Sequence, residues 1–249
     1  MGPQELLGGP LDSALNPDPD PGSGAVTLLF FDFSAVEMNV HGTVSMAELA
    51  KKMLKLEVFV HVSTAYAHCY RKTIEEKVYV DNTQSQDEFW DRVLSRDKNL
   101  NIDVRKWPNP YTCSKAMAET YLLKHCQNLP LTIVRPSIVV AAWQEPLPGW
   151  IDNFNGPTGL MAAGLSGLLR TILVDREKVA DLVPVDVVIN VMIVAAWKHR
   201  TKRGPIHIDD PVVPIYNCTS GATNPITWGQ ILDKGLIAAR KNPVETIFW

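Results

Sequence analysis

Tyr111-Thr-Cys-Ser-Lys115 puts a phenol and an ammonium four residues apart. On a helix the two share one face. A phenol with its ordinary pKa of about 10 is a poor acid-base group at neutral pH. A neighbouring ammonium favours the phenolate and is expected to lower that value, and an oxidised nicotinamide would add to the effect. Such a tyrosine can protonate a carbonyl oxygen while hydride arrives at the carbon. Lys115 could also hold a ribose hydroxyl of the cofactor. The spacing alone is weak, because a solvated lysine beside a half-buried tyrosine has the same pattern. Context strengthens it. Upstream, a strand ends in Ser63-Thr64 and offers a hydroxyl donor, although hydroxyls at strand ends often just satisfy backbone groups. The spacing does not choose between Ser63 and Thr64. Downstream, another strand ends in Arg135-Pro136-Ser137.

The elements that must position these residues read as an open α/β sheet. Val26 to Phe31 is a continuous apolar run that suits a buried strand. Ser45 and Glu48 form a Ser-x-x-Glu capping box, predicting a helix that starts there ahead of Leu49, Met53 and Leu54. The span from Val58 to Ser63 is apolar and β-branched on both parities, as in a parallel sheet covered on both faces. Asp81 to Asp103 is polar and reads as an excursion over the surface. Helices are predicted over Tyr111 to His125, Gly159 to Leu173 and Val187 to His199. Strands are predicted over Leu131 to Val134, stopped by Pro136, and over Val213 to Tyr216. A last helix starts at Thr227, where Gln230 completes another capping box. In such sheets chemistry sits at the carboxyl ends of strands, which returns attention to Ser63, Thr64 and Arg135.

Composition excludes several classes. The 249 residues are 46% hydrophobic and 20% charged, ordinary for a globular protein. A net charge of −3 predicts no nucleic-acid partner. Cys69, Cys113, Cys126 and Cys218 form no Cys-x-x-Cys pair, so neither a metal site nor a disulfide framework is expected, and buried, reduced thiols of an intracellular protein are. No signal peptide is visible. The most apolar stretch, Val187 to Trp197, is about half what a bilayer requires and reads as a buried helix. His61, alternating with apolar neighbours, reads as a core histidine, and His68 and Cys69 as loop residues. Gly159, Gly164 and Gly167 mimic a phosphate loop, but an aromatic loop rather than a strand precedes them, so close helix packing or substrate contact is the better reading. Residues 1–24, rich in Pro, Gly and Asp, are expected to be a disordered leader.

With these residues in view, the sequence resembles the animal fatty acyl-CoA reductases, a branch of the extended short-chain dehydrogenases. The similar stretches run from Val36 to Thr43, Val58 to Ala67, Pro110 to Glu119, Ile133 to Val139, Glu145 to Pro157, Ala180 to Asp186 and Tyr216 to Gly221. The resemblance implies NADPH-dependent reduction of long-chain acyl-CoA to fatty alcohol, in two hydride steps through an aldehyde. It implies Tyr111 as the acid, Lys115 as its partner and Ser63 or Thr64 as the hydroxyl donor. Asn39 matches the family's asparagine in the helix behind the site. Arg135, Pro136 and Ser137 are expected beside the cofactor, together with Tyr111, Lys115 and Asn39. Trp150, Asn153 and Phe154 are expected on the substrate side, within elements from about residue 143 onward. Members of the family are often attached to peroxisomal or endoplasmic reticulum membranes and feed ether-lipid synthesis.

The sequence departs from the family at its beginning. No Thr-Gly-x-x-Gly-x-x-Gly loop precedes residue 33, and such a loop's amides would seat the cofactor pyrophosphate. Residues 25–249 are therefore expected to form an incomplete Rossmann-like, doubly wound parallel sheet. It is expected to be truncated at both ends and soluble by itself, with impaired NADPH binding and weak or no activity. Two rivals remain: a non-catalytic module that binds lipid or a partner, and a sugar-nucleotide epimerase or dehydratase on the same scaffold. The tryptophan loop and the Tyr216 to Gly221 stretch disfavour the latter.

Overall fold

The computed structural model describes residues 33–79, 87–97, 102, 105–201 and 213–242. The strand expected over Val26 to Phe31 and the leader over 1–24 lie outside these residues. Contacts group the chain into two units. One comprises the residues up to Arg135 together with Met192–Asn217, and the other Pro136–Val191 together with those from Cys218 onward.

In the first unit a three-stranded sheet has the order β1-β2-β5, with β1 at Phe59–Val62, β2 at Leu131–Pro136 and β5 at Ile215–Cys218. β1 and β2 are parallel, with Val62 beside Val134. β2 is buried at every residue, as its β-branched run requires. The strand expected from Val213 begins two residues later.

α4 (Pro110–His125) is the central helix. Its start follows from Asn109, whose side chain accepts from the Thr112 N–H at 2.9 Å, and from Pro110 in the first turn. Cys113, Ala116, Met117 and Leu122 are buried along it. Small residues there let neighbouring elements approach closely.

Two expectations fail against this helix. The capping box at Ser45 is not a helix start. The helix already runs from α1 (Phe33–Val36) through a π-helical stretch, Glu37–His41, into α2 (Gly42–Lys51). Val36 and Val40 are buried in the same core as α4, and that packing extends the helix upstream of its local start signal. Glu48 instead pairs with Lys51 and accepts from the Tyr121 hydroxyl. Leu49, Met53 and Leu54 face outward, and Ala47 and Ala50 are the buried positions. The second failure is the excursion over 81–103. It contains α3 (Asp87–Leu94), which buries Trp90 and Val93. The Trp90 ring meets Tyr121 edge-on at 5.4 Å, and Asp87 pairs with Lys124. α3 hid among charged residues because it is only eight residues long, with Phe89, Trp90, Val93 and Leu94 its apolar positions.

In the second unit β3 (Ile138–Val140) pairs in parallel with β4 (Leu182–Pro184). β4 runs directly into α6 (Val185–Thr201). From Met192 on, α6 belongs to the first unit, and where a buried helix was expected, its Ile193, Val194 and Trp197 are exposed. α5 (Pro157–Leu165) is shorter than expected, because Gly167 follows it at φ +76°, a left-handed turn that ends the helix. A Cβ at Gly159 would run into the Phe154 carbonyl, so that glycine serves close packing of the aromatic loop on α5. α7 (Trp228–Lys241) carries the capping box expected at Thr227 and Gln230. Thr227→Ala is expected to cost about 1 kcal/mol, read as roughly fivefold faster hydrogen exchange in the first turn of α7.

Candidate functional site

The carboxyl end of β1 and the first turns of α4 bring the sequence-derived pair together. Tyr111 is 48% exposed, while Ser63 and Thr64 are buried. The Tyr111 hydroxyl is hydrogen-bonded to the Thr64 side chain. Thr64 also accepts from the Tyr66 N–H at 3.3 Å. Ser63 is held by its backbone, donating to the Val134 carbonyl at 2.8 Å. Its hydroxyl oxygen is buried with no hydrogen-bond partner among the described residues. The geometry thus separates two hydroxyls that spacing could not.

Lys115 sits one turn along from Tyr111. Its ammonium donates to the Val62 carbonyl at 3.2 Å and lies 5.9 Å from the Tyr111 ring centre. The expected lowering of the phenol pKa by this ammonium is not found. Burial pushes Tyr111 up, and the hydrogen bond from Thr64 is what opposes it. The lysine is turned toward β1, so its charge is committed to a backbone carbonyl. Burial in turn pushes Lys115 down, opposed by the charge on Glu119. Thr64→Val is therefore expected to raise the Tyr111 titration midpoint and Ser63→Ala to leave it unchanged. NMR of ring-labelled tyrosine across alkaline pH measures both.

Asn39 lies in the π-helical stretch, a distortion found often at functional sites. Its side-chain amide donates to the Ser114 hydroxyl at 2.9 Å, which donates to the Tyr111 carbonyl at 2.9 Å. Asn39 is thereby tied to the backbone of the turn that carries the phenol.

Arg135 is placed elsewhere. Its side chain is fully buried, with Nε on Glu119 Oε1 at 2.8 Å and Nη2 on Glu119 Oε2 at 2.6 Å. It also donates to the carbonyls of Glu75 at 3.3 Å and Lys77 at 3.1 Å. This guanidinium ties the core together and has no surface to offer a cofactor, which corrects the expectation for it. His68 lies in the turn after β1, as the loop reading has it, but is buried there, with Nε2 3.1 Å from Glu119. The Asn217 side chain donates to the Ile74 carbonyl and its backbone N–H donates to the Glu76 carboxylate, so the segment after β1 is pinned from β2 and β5. Sequence reasoning missed Glu119 as the hub. The sequence of α4 mixes polar and apolar residues, so only the burial of Glu119 in the structure shows that it needs a partner. His61 is a core histidine, as expected, and burial pushes it down to about 4.

The remaining residues belong to the second unit. Pro136 ends β2, and the Ser137 N–H donates to the Cys218 carbonyl at 3.0 Å. Trp150 and Phe154 are exposed, and Asn153 bonds locally to Asp152 and Asn155. Asp186 organises the start of this loop by accepting from the N–H groups of Trp143, Gln144 and Glu145, which push its carboxyl down to about 2. Asp181 accepts from Ser220 and Gly221. These two aspartates join stretches the sequence showed only as separate motifs.

Against known families, the model described as male sterility protein matches residues 26–192. The chain belongs to that family. It is 45% identical over 219 residues to fatty acyl-CoA reductase 1 of Xenopus laevis, covering 86% of this chain and 41% of that protein. The human fatty acyl-CoA reductase 1 is 46% identical over the same length, with the same coverage. Fatty acyl-CoA reductase 2 of Bos taurus is 38% identical over 231 residues, covering 90% of this chain and 44% of the relative. The chain thus spans less than half the length of these relatives. Among solved structures, the NAD complex of dTDP-glucose 4,6-dehydratase from Bacillus anthracis is similar at a TM-score of 0.50 and 21% identity. That match covers 85% of this chain and 56% of that one. The likeness shows the fold: an α/β architecture on a parallel sheet, as expected. Among the described residues no helix is long and apolar enough to cross a membrane.

Proposed function

We propose that this chain carries the acid-base half of an NADPH-dependent reductase of long-chain fatty acyl-CoA, acting weakly by itself. The observation that carries the reading is the Thr64–Tyr111 hydrogen bond at the carboxyl end of β1, with Lys115 one turn along. The relatives' names and the family membership support the substrate class.

The residues fit the nicotinamide end of a dinucleotide. These are a half-exposed phenol at Tyr111, Lys115 one turn along α4 and the Ser63 hydroxyl at the carboxyl end of β1. Reduced nicotinamide would supply hydride in both steps. Tyr111 is protonated at neutral pH, because burial raises it. It therefore holds the proton that an aldehyde oxygen needs as its carbon is reduced. Thr64 fixes the direction of that hydroxyl, and Asn39, through Ser114, fixes the backbone beneath it. Thioester reduction releases CoA as its thiol and leaves the aldehyde as substrate for the second step. Exposed apolar side chains of the second unit, Leu147, Trp150, Phe154 and Leu160 among them, suit an acyl chain. By resemblance the setting is a peroxisomal or endoplasmic reticulum membrane.

The test is a fluorescence titration with NADPH, followed by mass-spectrometric detection of fatty alcohol from palmitoyl-CoA. Slow alcohol formation that needs NADPH and Tyr111 supports the reading. The second reading, a non-catalytic partner-binding module, draws on the exposed Ile193, Val194 and Trp197 of α6. A folded chain that binds no NADPH would favour it.

A further inference from the structure

In a parallel sheet each crossover helix runs against the strands, so its carboxyl end arrives at the strands' amino ends. α2 ends this way just before β1, and α6 ends before β5. Arg200, in the last turn of α6, pairs with Glu57 at 3.3 Å, which joins the end of α6 to the turn that follows α2. The stretches 51–57 and 198–200 hold five cations, Lys51, Lys52, Lys55, Lys198 and Arg200, against one carboxylate, Glu57, in a chain whose net charge is −3. Cations at helix carboxyl ends are ordinary, since they complement the helix dipole. Exposed apolar side chains set among them need another reason. Leu54 is fully exposed and Met53 is half-exposed, between Lys52 and Lys55. Trp197 is 65% exposed and precedes Arg200 by three residues, on the same side of α6. Glu48 is paired with Lys51, and Asp87 of α3 with Lys124 of α4. The surface that is both positive and apolar is thus the turn after α2 together with the end of α6.

We propose that this end of the first unit docks on an anionic lipid surface, with Leu54, Met53 and Trp197 entering the headgroup layer and the surrounding lysines meeting lipid phosphates. Nucleic acid is held by cations and polar groups, and gains nothing from a fully exposed leucine between lysines. A second copy docked through the same patch would bring like charges face to face. A protein partner is met by an apolar centre inside a polar rim. Here apolar side chains alternate with cations, which suits a layer that offers phosphate and acyl chain within one side chain's reach. The long lysine stems let each charge stay at the phosphates while Leu54 goes deeper. α4 reaches this end through Tyr121, whose hydroxyl donates to Glu48. Tyr111 lies ten residues back along the helix, about 15 Å away, so the phenol is held clear of the lipid. The proposal concerns attachment and goes beyond the reductase reading, and its test needs neither cofactor nor acyl-CoA.

The measurement is flotation of the full chain with vesicles of phosphatidylcholine alone, or of an equimolar mixture of phosphatidylcholine and phosphatidylserine. The native chain is expected to float with the mixed vesicles, binding them at least about tenfold more tightly than phosphatidylcholine alone. Lys55→Glu is expected to weaken that binding by about tenfold or more. Lys72→Glu makes the same charge change at an exposed lysine in the segment after β1, and should stay within about twofold of native. Leu54→Ser is expected to weaken binding by about tenfold, the loss of one buried leucine. Both side chains at the patch are exposed, so circular dichroism should show all variants folded. A native chain that floats with neither vesicle, or equally with both, overturns the proposal. So does Lys72→Glu losing as much as Lys55→Glu, because overall charge would then be the cause. Unchanged binding of Leu54→Ser overturns it too, since attraction would then be the same for any polyanion. A dimer in sedimentation equilibrium that Leu54→Ser dissolves would assign the face to a second copy instead. Absence of NADPH binding or of alcohol formation would leave each of these outcomes intact, so the two ideas fail separately.

Discussion

Arg135→Ala is expected to lower stability by about 3–5 kcal/mol, because it leaves the Glu119 carboxylate buried without its main partner. The guanidinium is fully buried and makes four hydrogen bonds, two of them to the carboxylate and two to backbone carbonyls of the segment after β1. Removing it therefore strands an anion and two carbonyls at once. The pH dependence distinguishes this cause from simple loss of packing. In the native chain burial pushes the Glu119 carboxyl up, but hydrogen bonds from Arg135 and His68 outweigh it and bring it down to about 2, from an ordinary value of 4.5. A carboxyl depressed on folding stabilises the native state above its unfolded value, and that stability is lost as pH falls from about 4.5 toward 2. In the variant burial dominates and the carboxyl is raised, so the folded variant takes up its proton first and is penalised less in acid. Urea unfolding at pH 7 and pH 4 should show a wide gap between native and variant that narrows on acidification. A gap of constant width would mean that lost packing, not the stranded charge, is the cause.

Tyr111→Phe is expected to reduce acyl-CoA-dependent alcohol formation by about 10²–10⁴-fold, the range that a positioned proton donor contributes. The ring stays, the side chain is 48% exposed and the Lys115 bond to Val62 does not involve the hydroxyl, so folding should be unchanged. The profile with pH carries a further sign. Burial raises the phenol from its ordinary 10, with Thr64 opposing. As an acid it is therefore competent throughout the neutral range, and activity should fall only on the alkaline side. Phe at position 111 with a rate within about twofold of native would remove Tyr111 from the mechanism, because a general acid is worth far more than that.

Much of the site was legible in the sequence because its geometry is local. A four-residue spacing on a helix places Tyr111 and Lys115 on one side whatever surrounds them. The run of β-branched residues in β2 announced a strand buried on both faces, and the capping box at Thr227 marked a helix start that the structure keeps. The Ser45 capping box was an equally good local signal and was overridden. Val36 and Val40 gain more by packing against α4 than a helix start at Ser45 would provide. Trp90 was overlooked for a related reason. Two turns of apolar spacing within a charged stretch are a short signal, and in the structure Trp90 is buried against Tyr121.

What the sequence alone determined is the pairing of a phenol with an ammonium, the α/β order of the strands and helices that present them, and the family. What only the tertiary structure decided is which groups act on that pair. Thr64 hydrogen-bonds the phenol, and Lys115 donates to the Val62 carbonyl while lying 5.9 Å from the Tyr111 ring centre. Arg135 withdraws from the surface to Glu119, sixteen residues away along the chain. The reason is that a hydrogen bond depends on direction within a few tenths of an ångström, and a charge depends on what buries it. Both are set by packing between elements distant in sequence, where spacing carries no information.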